Sequence, residues 1–104
     1  MVHMIVRHKV ADYTRWKEAF DAHLNVRKAA GETDYRVLQS VDDPREVTLF
    51  FDWNSLENAR RFASSDGLKQ AMQKAGVVGD PEIRFVDEPS DPVLGALFHA
   101  RRVP

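Results

Sequence analysis

The chain has 104 residues, the size of one small domain. Its formal net charge of -1 gives no field that would attract nucleic acid or an anionic membrane surface. It contains no cysteine, which excludes disulfides and thiolate chemistry and is typical of a reducing compartment. No apolar run is long enough to span a membrane, and the first residues lack the pattern of a signal peptide, so we expect a cytoplasmic protein.

The chain begins with a predicted strand and a predicted helix. Residues 2–10 alternate between two side-chain sets, as a strand does. Asp12 can cap the helix that follows, which is expected to run to about Ala30 and to end at Gly31. Side chains three and four positions apart form the apolar stripe of this helix, namely Tyr13, Trp16, Phe20, Leu24 and Arg27.

A hairpin is predicted next. Residues 33–41 and 47–53 read as two strands, joined by a short turn over residues 43–46. Pro44 presets the second position of a type I turn. Because the connection is short, the two strands must be antiparallel.

A second helical region and a last strand complete the pattern. The helix is expected to open at Asn54 or Ser55, with Glu57 reaching back to Asn54, and to restart at residues 64–66. Gly76 ends it, and a loop leads to a last strand predicted over residues 81–88.

The order of these elements is βαββαβ, the ferredoxin-like plan of the α+β class. It predicts a four-stranded antiparallel sheet with the helices on one face. We expect residues 1–88 to form this domain and residues 89–104 to form a C-terminal tail. The tail is apolar in its middle, and it is either a frayed end or a segment that crosses to a partner subunit.

The two faces of the predicted sheet differ in polarity. The face that the helices should cover carries Met4, Val6, Val37, Leu49, Phe51, Ile83 and Phe85. The opposite face mixes charged side chains with Ile5, Leu38, Phe50 and Val86. Such a small domain buries only about two-thirds of its surface. We therefore predict a homodimer through the face bearing Arg7, Arg36, Asp52 and Arg84, with Asp52 pairing one of these arginines across the interface.

Several polar and aromatic side chains are predicted to meet between the first helix and the sheet. The sheet contributes His8, Tyr35, Gln39 and Trp53, and the helix contributes Trp16, Phe20, His23 and Arg27. A few polar groups within apolar walls are typical of small-molecule pockets. The alternative is packing at the core rim with the polar tips in water.

If these side chains form a small-molecule pocket, each of them has an expected role. His23 or His8 would be the catalytic base, because a histidine titrates near neutral pH. Tyr35, Arg27 and Gln39 would bind the polar atoms of a small hydrophobic or aromatic molecule, and its walls would be Trp16, Phe20 and Trp53.

The sequence lacks the motifs of several other kinds of functional site. There is no His-x-His or His-x-x-x-His pair for a metal, no Gly-x-Ser-x-Gly elbow and no glycine-rich phosphate loop. RNA-recognition domains share the βαββαβ order but carry a basic, glycine-containing third strand, whereas residues 46–53 contain no glycine. We therefore predict no metal site and no nucleic-acid partner.

The chain resembles the antibiotic biosynthesis monooxygenase-like domains of the dimeric α+β barrel superfamily. The resemblance covers about residues 2–88. It is carried by Asp12-Tyr13 with Trp16, Phe20 and Gly31, by residues 43–53, by the run Ser55 to Ser65, and by Ala75-Gly76-Val77 with Pro81.

The resemblance implies a homodimer whose sheets face each other and a ligand cleft between the sheet and helices of each subunit. Members include oxygenases that oxidise polyketide phenols without metal or flavin, cyclases, isomerases and haem-degrading enzymes. The haem-degrading branch uses a histidine where Phe62 and Ala63 stand here, so we expect no haem and no other cofactor. Two hypotheses stay open: cofactor-independent oxygenation or cyclisation of a small aromatic compound, and a non-catalytic dimeric domain.

Overall fold

The computed structural model describes residues 1–89, and the elements confirm the ferredoxin-like βαββαβ plan. In chain order they are β1 Val2–Val10, α1 Tyr13–Ala22, α2 Leu24–Ala30, β2 Glu32–Gln39, β3 Glu46–Trp53, α3 Leu56–Ala63, α4 Asp66–Ala75 and β4 Val77–Asp87. The sheet is antiparallel with strand order β2-β3-β1-β4. The predicted tail comprises residues 89–104, and residues 90–104 lie outside the described part of the chain.

The first helical region differs from the prediction because it breaks at His23. Asp12 caps α1 as expected, accepting from the backbone N–H of Thr14 at 3.0 Å. The His23 N–H donates to the Phe20 carbonyl at 3.2 Å, a tighter turn than an α-helical one. The Arg27 guanidinium also donates to that carbonyl, so a side chain of α2 closes the end of α1.

The hairpin turn forms where it was predicted. The Glu46 N–H donates to the Asp43 carbonyl at 3.0 Å, and the Arg45 N–H donates to the Asp43 carboxylate at 2.9 Å. Strand β2 begins at Glu32, and its pairing with β3 shifts between Glu32 and Asp34. This bulge places Glu32 in the interior.

Serine side chains start both later helices. The Ser55 hydroxyl accepts from the Asn58 N–H at 3.1 Å, and the Ser65 hydroxyl accepts from the Leu68 N–H at 3.2 Å. The expected reach of Glu57 back to Asn54 was wrong: Glu57 pairs with Arg61 at 2.7 Å, one helical turn away.

Strand β4 begins at Val77 rather than at residue 81, so the predicted loop was wrong. Val77 pairs with Val10, and the register against β1 shifts between Arg7 and Lys9. Gly79 has a φ of 74°, which glycine adopts without strain, and it allows the strand to continue through the irregularity. Because β4 is an edge strand, Pro81 needs no ladder hydrogen bond from its own nitrogen.

The core lies between one face of the sheet and the helices, as predicted. Its fully buried members include Trp53, Met4, Val10 and Val47. The predicted apolar set belongs to this core, either as fully buried residues or as half-buried residues packed against it. Within residues 1–89, no helix has the length and apolarity needed to cross a membrane.

The outer face of the sheet is charged and partly apolar, as predicted. Asp52, however, bonds to His3 of its own chain, whereas the prediction paired it with an arginine of a second subunit. Two of the predicted arginines also have partners within the chain: Arg7 pairs with Glu46 at 2.7 Å and Arg84 pairs with Glu82 at 2.7 Å.

Candidate functional site

A small cavity lies between the helices and the inner face of the sheet. Its volume is about 80 Å³. The wall is mostly hydrocarbon and aromatic, and its polar members are His8, His23 and Arg27. Strand β1 presents Met4, Val6 and His8 at alternate positions, so the three share the inner face. Helix α4 closes the opposite wall with Leu68, Ala71, Met72 and Ala75, which follow helical spacing.

His8 is the polar member that β1 contributes. It is 6% exposed, and its ring meets the edge of Trp16 with ring centroids 5.6 Å apart. Its Nδ1 is buried without a hydrogen-bond partner among the described residues. Burial lowers the pKa of His8, because the charged imidazolium loses more hydration than the neutral ring. In the tautomer that carries its hydrogen on Nε2, the neutral imidazole can accept a proton at Nδ1.

Arg27 is the polar member that α2 contributes, and it is 3% exposed. Its Nε donates to the carboxylate of Glu32 at 2.9 Å, and its Nη1 donates to the Phe20 carbonyl. The guanidinium carbon lies 3.7 Å from the centre of the Phe20 ring. Nη2 has no partner among the described residues. The NH2 group at Nη2 of this buried cation is thus available to a ligand.

The sequence reasoning missed Glu32. Burial raises the pKa of its carboxyl, and Arg27 opposes this change. One signal could have identified the pair: Arg27 lies on the apolar stripe of the helix, where a charge requires a partner, and Glu32 is the nearest following carboxylate.

Aromatic side chains form the wall beside Arg27. Trp16 stacks on Phe20 with ring centroids 5.0 Å apart, and both line the cavity. Tyr35 meets Phe20 edge-on, with ring centroids 5.4 Å apart, and its ring centre lies 5.2 Å from the guanidinium carbon of Arg27. Tyr35 is nevertheless not part of the cavity wall.

The other predicted site residues are dispersed. His23 is half-buried at the break between α1 and α2 and lines the cavity. Trp53 is fully buried against Phe62, with ring centroids 5.2 Å apart, and lies outside the cavity wall. Gln39 is exposed and donates to the Pro44 carbonyl at 3.0 Å. The cavity wall thus includes His8, Trp16, Phe20, His23 and Arg27, but not Tyr35, Trp53 and Gln39.

A second, polar cleft of about 360 Å³ lies between the end of α2 and the start of α3. Its polar groups bond to one another: the Asn58 amide donates to Asn54 at 2.9 Å, and Arg61 donates to Asn58 at 3.2 Å. In the described part of the chain, no group of three or more His, Asp or Glu side chains could hold a metal ion.

Comparison with known proteins identifies the family. The family model described as antibiotic biosynthesis monooxygenase matches residues 1–74. No match was found among curated proteins. Many solved structures share the fold, and three of them illustrate the likeness.

A provisionally assigned antibiotic biosynthesis monooxygenase from Bordetella bronchiseptica has a TM-score of 0.72 at 15% identity, covering 85% of this chain and 96% of that chain. SnoaB, a cofactor-independent oxygenase from Streptomyces nogalater, has a TM-score of 0.69 at 14% identity, covering 88% and 95%. A provisionally assigned monooxygenase of the same kind from Caulobacter crescentus has a TM-score of 0.67 at 18% identity, covering 86% and 90%. These likenesses show the fold. With the family match over residues 1–74, they show that the chain belongs to the antibiotic biosynthesis monooxygenase family.

Proposed function

We propose that this protein binds a small hydroxyaromatic compound in the cavity between α1 and the sheet and oxygenates it without a cofactor. His8 is the base, and Arg27 donates a hydrogen bond to the substrate oxygen. The observation that carries this proposal is a pair of buried polar atoms, Nδ1 of His8 and Nη2 of Arg27, that have no hydrogen-bond partner among the described residues. Both residues line an otherwise apolar cavity.

Unpaired buried polar atoms are costly, and most native proteins avoid them. A ligand hydroxyl or carbonyl would supply the missing partners, while its ring would contact Trp16 and Phe20. The low pKa of His8 keeps its ring neutral near pH 7, which is the form that a base requires.

The chemical step follows from these positions. Nδ1 of His8 takes the phenolic proton, and Arg27 stabilises the oxyanion. The resulting carbanion passes one electron to O2, the two radicals combine through a new C–O bond, and protonation gives a hydroperoxide. Loss of water then leaves a carbonyl: the hydrogens of the phenolic O–H and of the ring C–H leave with one oxygen atom of O2 as H2O, and the other oxygen atom forms the new C=O group. The chemistry needs no further electron donor.

The size of the cavity favours a second candidate, a non-catalytic domain filled by its own side chains. A cavity of about 150 Å³ is known to hold benzene. The volume here is about 80 Å³, so an aromatic ring enters only when the wall moves.

Leu68 and Met72 of α4 are half-buried wall residues, and we propose that their displacement admits the ring.

We also propose the homodimer that the outer face indicates. Leu38 is 44% exposed and Val86 is 41% exposed on that face, beside the half-buried Ile5 and Phe50. A second copy would cover these apolar groups. Sedimentation at micromolar concentration should give twice the chain mass, and Leu38→Asp should give a monomer. A wild-type protein with the mass of one chain would contradict the dimer.

The test of catalysis is oxygen uptake with a panel of naphthols, hydroquinones and anthrones. We expect turnover by the wild-type protein and a loss of roughly 10²–10⁴-fold in His8→Gln, the range for removal of a general base. His23→Gln is the matched control, because His23 lines the same cavity but is only half-buried. A larger loss in His23→Gln would assign the base to His23, and binding without oxygen uptake would favour the non-catalytic candidate.

A further inference from the structure

Glu32 pairs with Arg27 and changes the net charge beside the cavity, although Glu32 is not part of the cavity wall. The side chains of Arg27 and Glu32 are 4% and 1% exposed, and 2.9 Å separates Nε from the carboxylate oxygen. Gly31 makes the turn between α2 and β2 with a φ of 125°. This turn brings the side chains of Arg27 and Glu32, five positions apart, into contact. The ion pair is thus fixed by local backbone geometry as well as by packing.

Nη2 is the guanidinium nitrogen that has no hydrogen-bond partner among the described residues. Nε is engaged by Glu32, Nη1 by the Phe20 carbonyl, and one face of the group lies on the Phe20 ring at 3.7 Å. Nη2 remains. A ligand can therefore accept a hydrogen bond from Nη2, while Nε is already engaged by Glu32.

The net charge of this region opposes an anionic ligand. Among the described residues, the titratable members of the cavity wall besides Arg27 are His8 and His23, and none is lysine, aspartate or glutamate. Glu32 already neutralises Arg27, so the carboxylate of a ligand would enter a poorly hydrated site as an uncompensated charge. A phenol or amide accepts the Nη2 hydrogen bond without that cost.

We infer that Glu32 determines ligand specificity: by neutralising Arg27, it makes the cavity select an uncharged, oxygen-bearing ligand over a carboxylate of the same shape. This inference rests on the proposed function, because it concerns what the same cavity binds. It agrees with the proposed chemistry, in which the phenolate forms only together with the imidazolium of His8 and the net charge of the site does not change.

The test compares benzamide with benzoate, which have nearly the same shape but differ by one charge. Their dissociation constants are measured by NMR titration, following the Arg27 Nε–H and the Trp16 indole N–H. We expect the wild-type protein to bind benzamide at least roughly tenfold more tightly. In Glu32→Gln the amide oxygen still accepts from Nε but the negative charge is gone, so the ratio should shift toward benzoate by roughly tenfold or more.

Two controls separate charge from folding. Glu57→Gln removes an exposed carboxylate that pairs with Arg61, and it should leave the ratio unchanged. The double variant Arg27→Gln/Glu32→Gln removes both charges and should retain the preference of the wild-type protein for benzamide. If Glu32→Gln does not fold, tighter binding of benzoate than of benzamide by the wild-type protein or by the double variant would still overturn the inference.

The outcomes distinguish the inference from the function beneath it. Equal or tighter binding of benzoate by the wild-type protein, or an unchanged ratio in folded Glu32→Gln, would overturn the role of Glu32 and leave ligand binding in place. Binding of neither compound would overturn the proposed function and the inference with it.

Discussion

The imidazole of His8 meets the indole of Trp16 edge-on, with ring centroids 5.6 Å apart and an interplanar angle of 67°. This contact joins β1 to α1 at the wall of the cavity. Within residues 1–89, Nδ1 of His8 is buried without a hydrogen-bond partner, and aromatic packing against Trp16 holds the ring at the cavity wall. The chemistry of the site and the packing of the core therefore depend on the same residue.

The pKa of His8 should lie below 6.5, because burial disfavours the imidazolium. Below pH 6.5 the unfolded chain then binds the proton more readily than the folded one. The contribution of His8 to stability is thus present above this pH and falls as the pH falls toward the folded-state pKa. NMR titration measures the pKa, and urea unfolding of His8→Phe should show a smaller loss of stability on acidification than the wild-type protein shows.

The pKa of His3 should be shifted in the direction opposite to that of His8. Burial lowers its pKa, but hydrogen bonds to Glu88 and Asp52 outweigh burial and raise the pKa above 6.5. The stabilisation is therefore complete below pH 6.5 and is lost as the pH rises through the folded-state pKa. In NMR titrations, Asp52→Asn should lower the pKa of His3 while leaving that of His8 unchanged. An unchanged His3 pKa in this variant would rule out the role of Asp52.

The buried ion pair should be costly to break. Glu32→Ala leaves the Arg27 cation in the interior without its partner, and we expect a loss of about 3–5 kcal/mol in the free energy of unfolding. Glu57→Ala, which removes an exposed partner of Arg61, should cost no more than about 0.5 kcal/mol. Urea denaturation measures the free energy of unfolding of the two variants. Similar losses in both would contradict the importance of the Arg27–Glu32 ion pair for stability.

Two glycines should respond oppositely to alanine. At Gly31 the φ of 125° and an added Cβ 2.5 Å from the Asn54 side-chain oxygen both oppose the substitution. Gly67 lies within α4 with nothing within 4 Å of an added Cβ, so alanine should stabilise the helix there by roughly 0.5–1 kcal/mol. Thermal unfolding should show a lower midpoint for Gly31→Ala and a higher one for Gly67→Ala.

The element order and the two faces of the sheet could be predicted because periodicity reports them directly. Met4 and Phe51 face the core, and Arg36 and Arg84 are exposed, as the alternation indicates. Ser65 and Gly76 bound α4 as their capping chemistry predicts.

The site was harder to predict because it depends on irregular backbone. The break at His23 and the bulge after Glu32 place the Arg27–Glu32 pair in the interior, and neither has a periodic signal. Residue spacing could place Tyr35 on the inner face, but it could not show that Tyr35 packs against Phe20 outside the cavity wall. Side-chain packing decides that question, and a pattern of residue types does not encode it.

The most direct test of the ligand site is a crystal structure of the protein grown with 1-naphthol. We predict ligand density between α1 and the sheet, with Leu68 and Met72 displaced and the hydroxyl oxygen about 3 Å from Nη2 of Arg27. Density confined to the polar cleft beside Lys28 and Asn54, or an unchanged cavity at saturating ligand, would contradict the proposal.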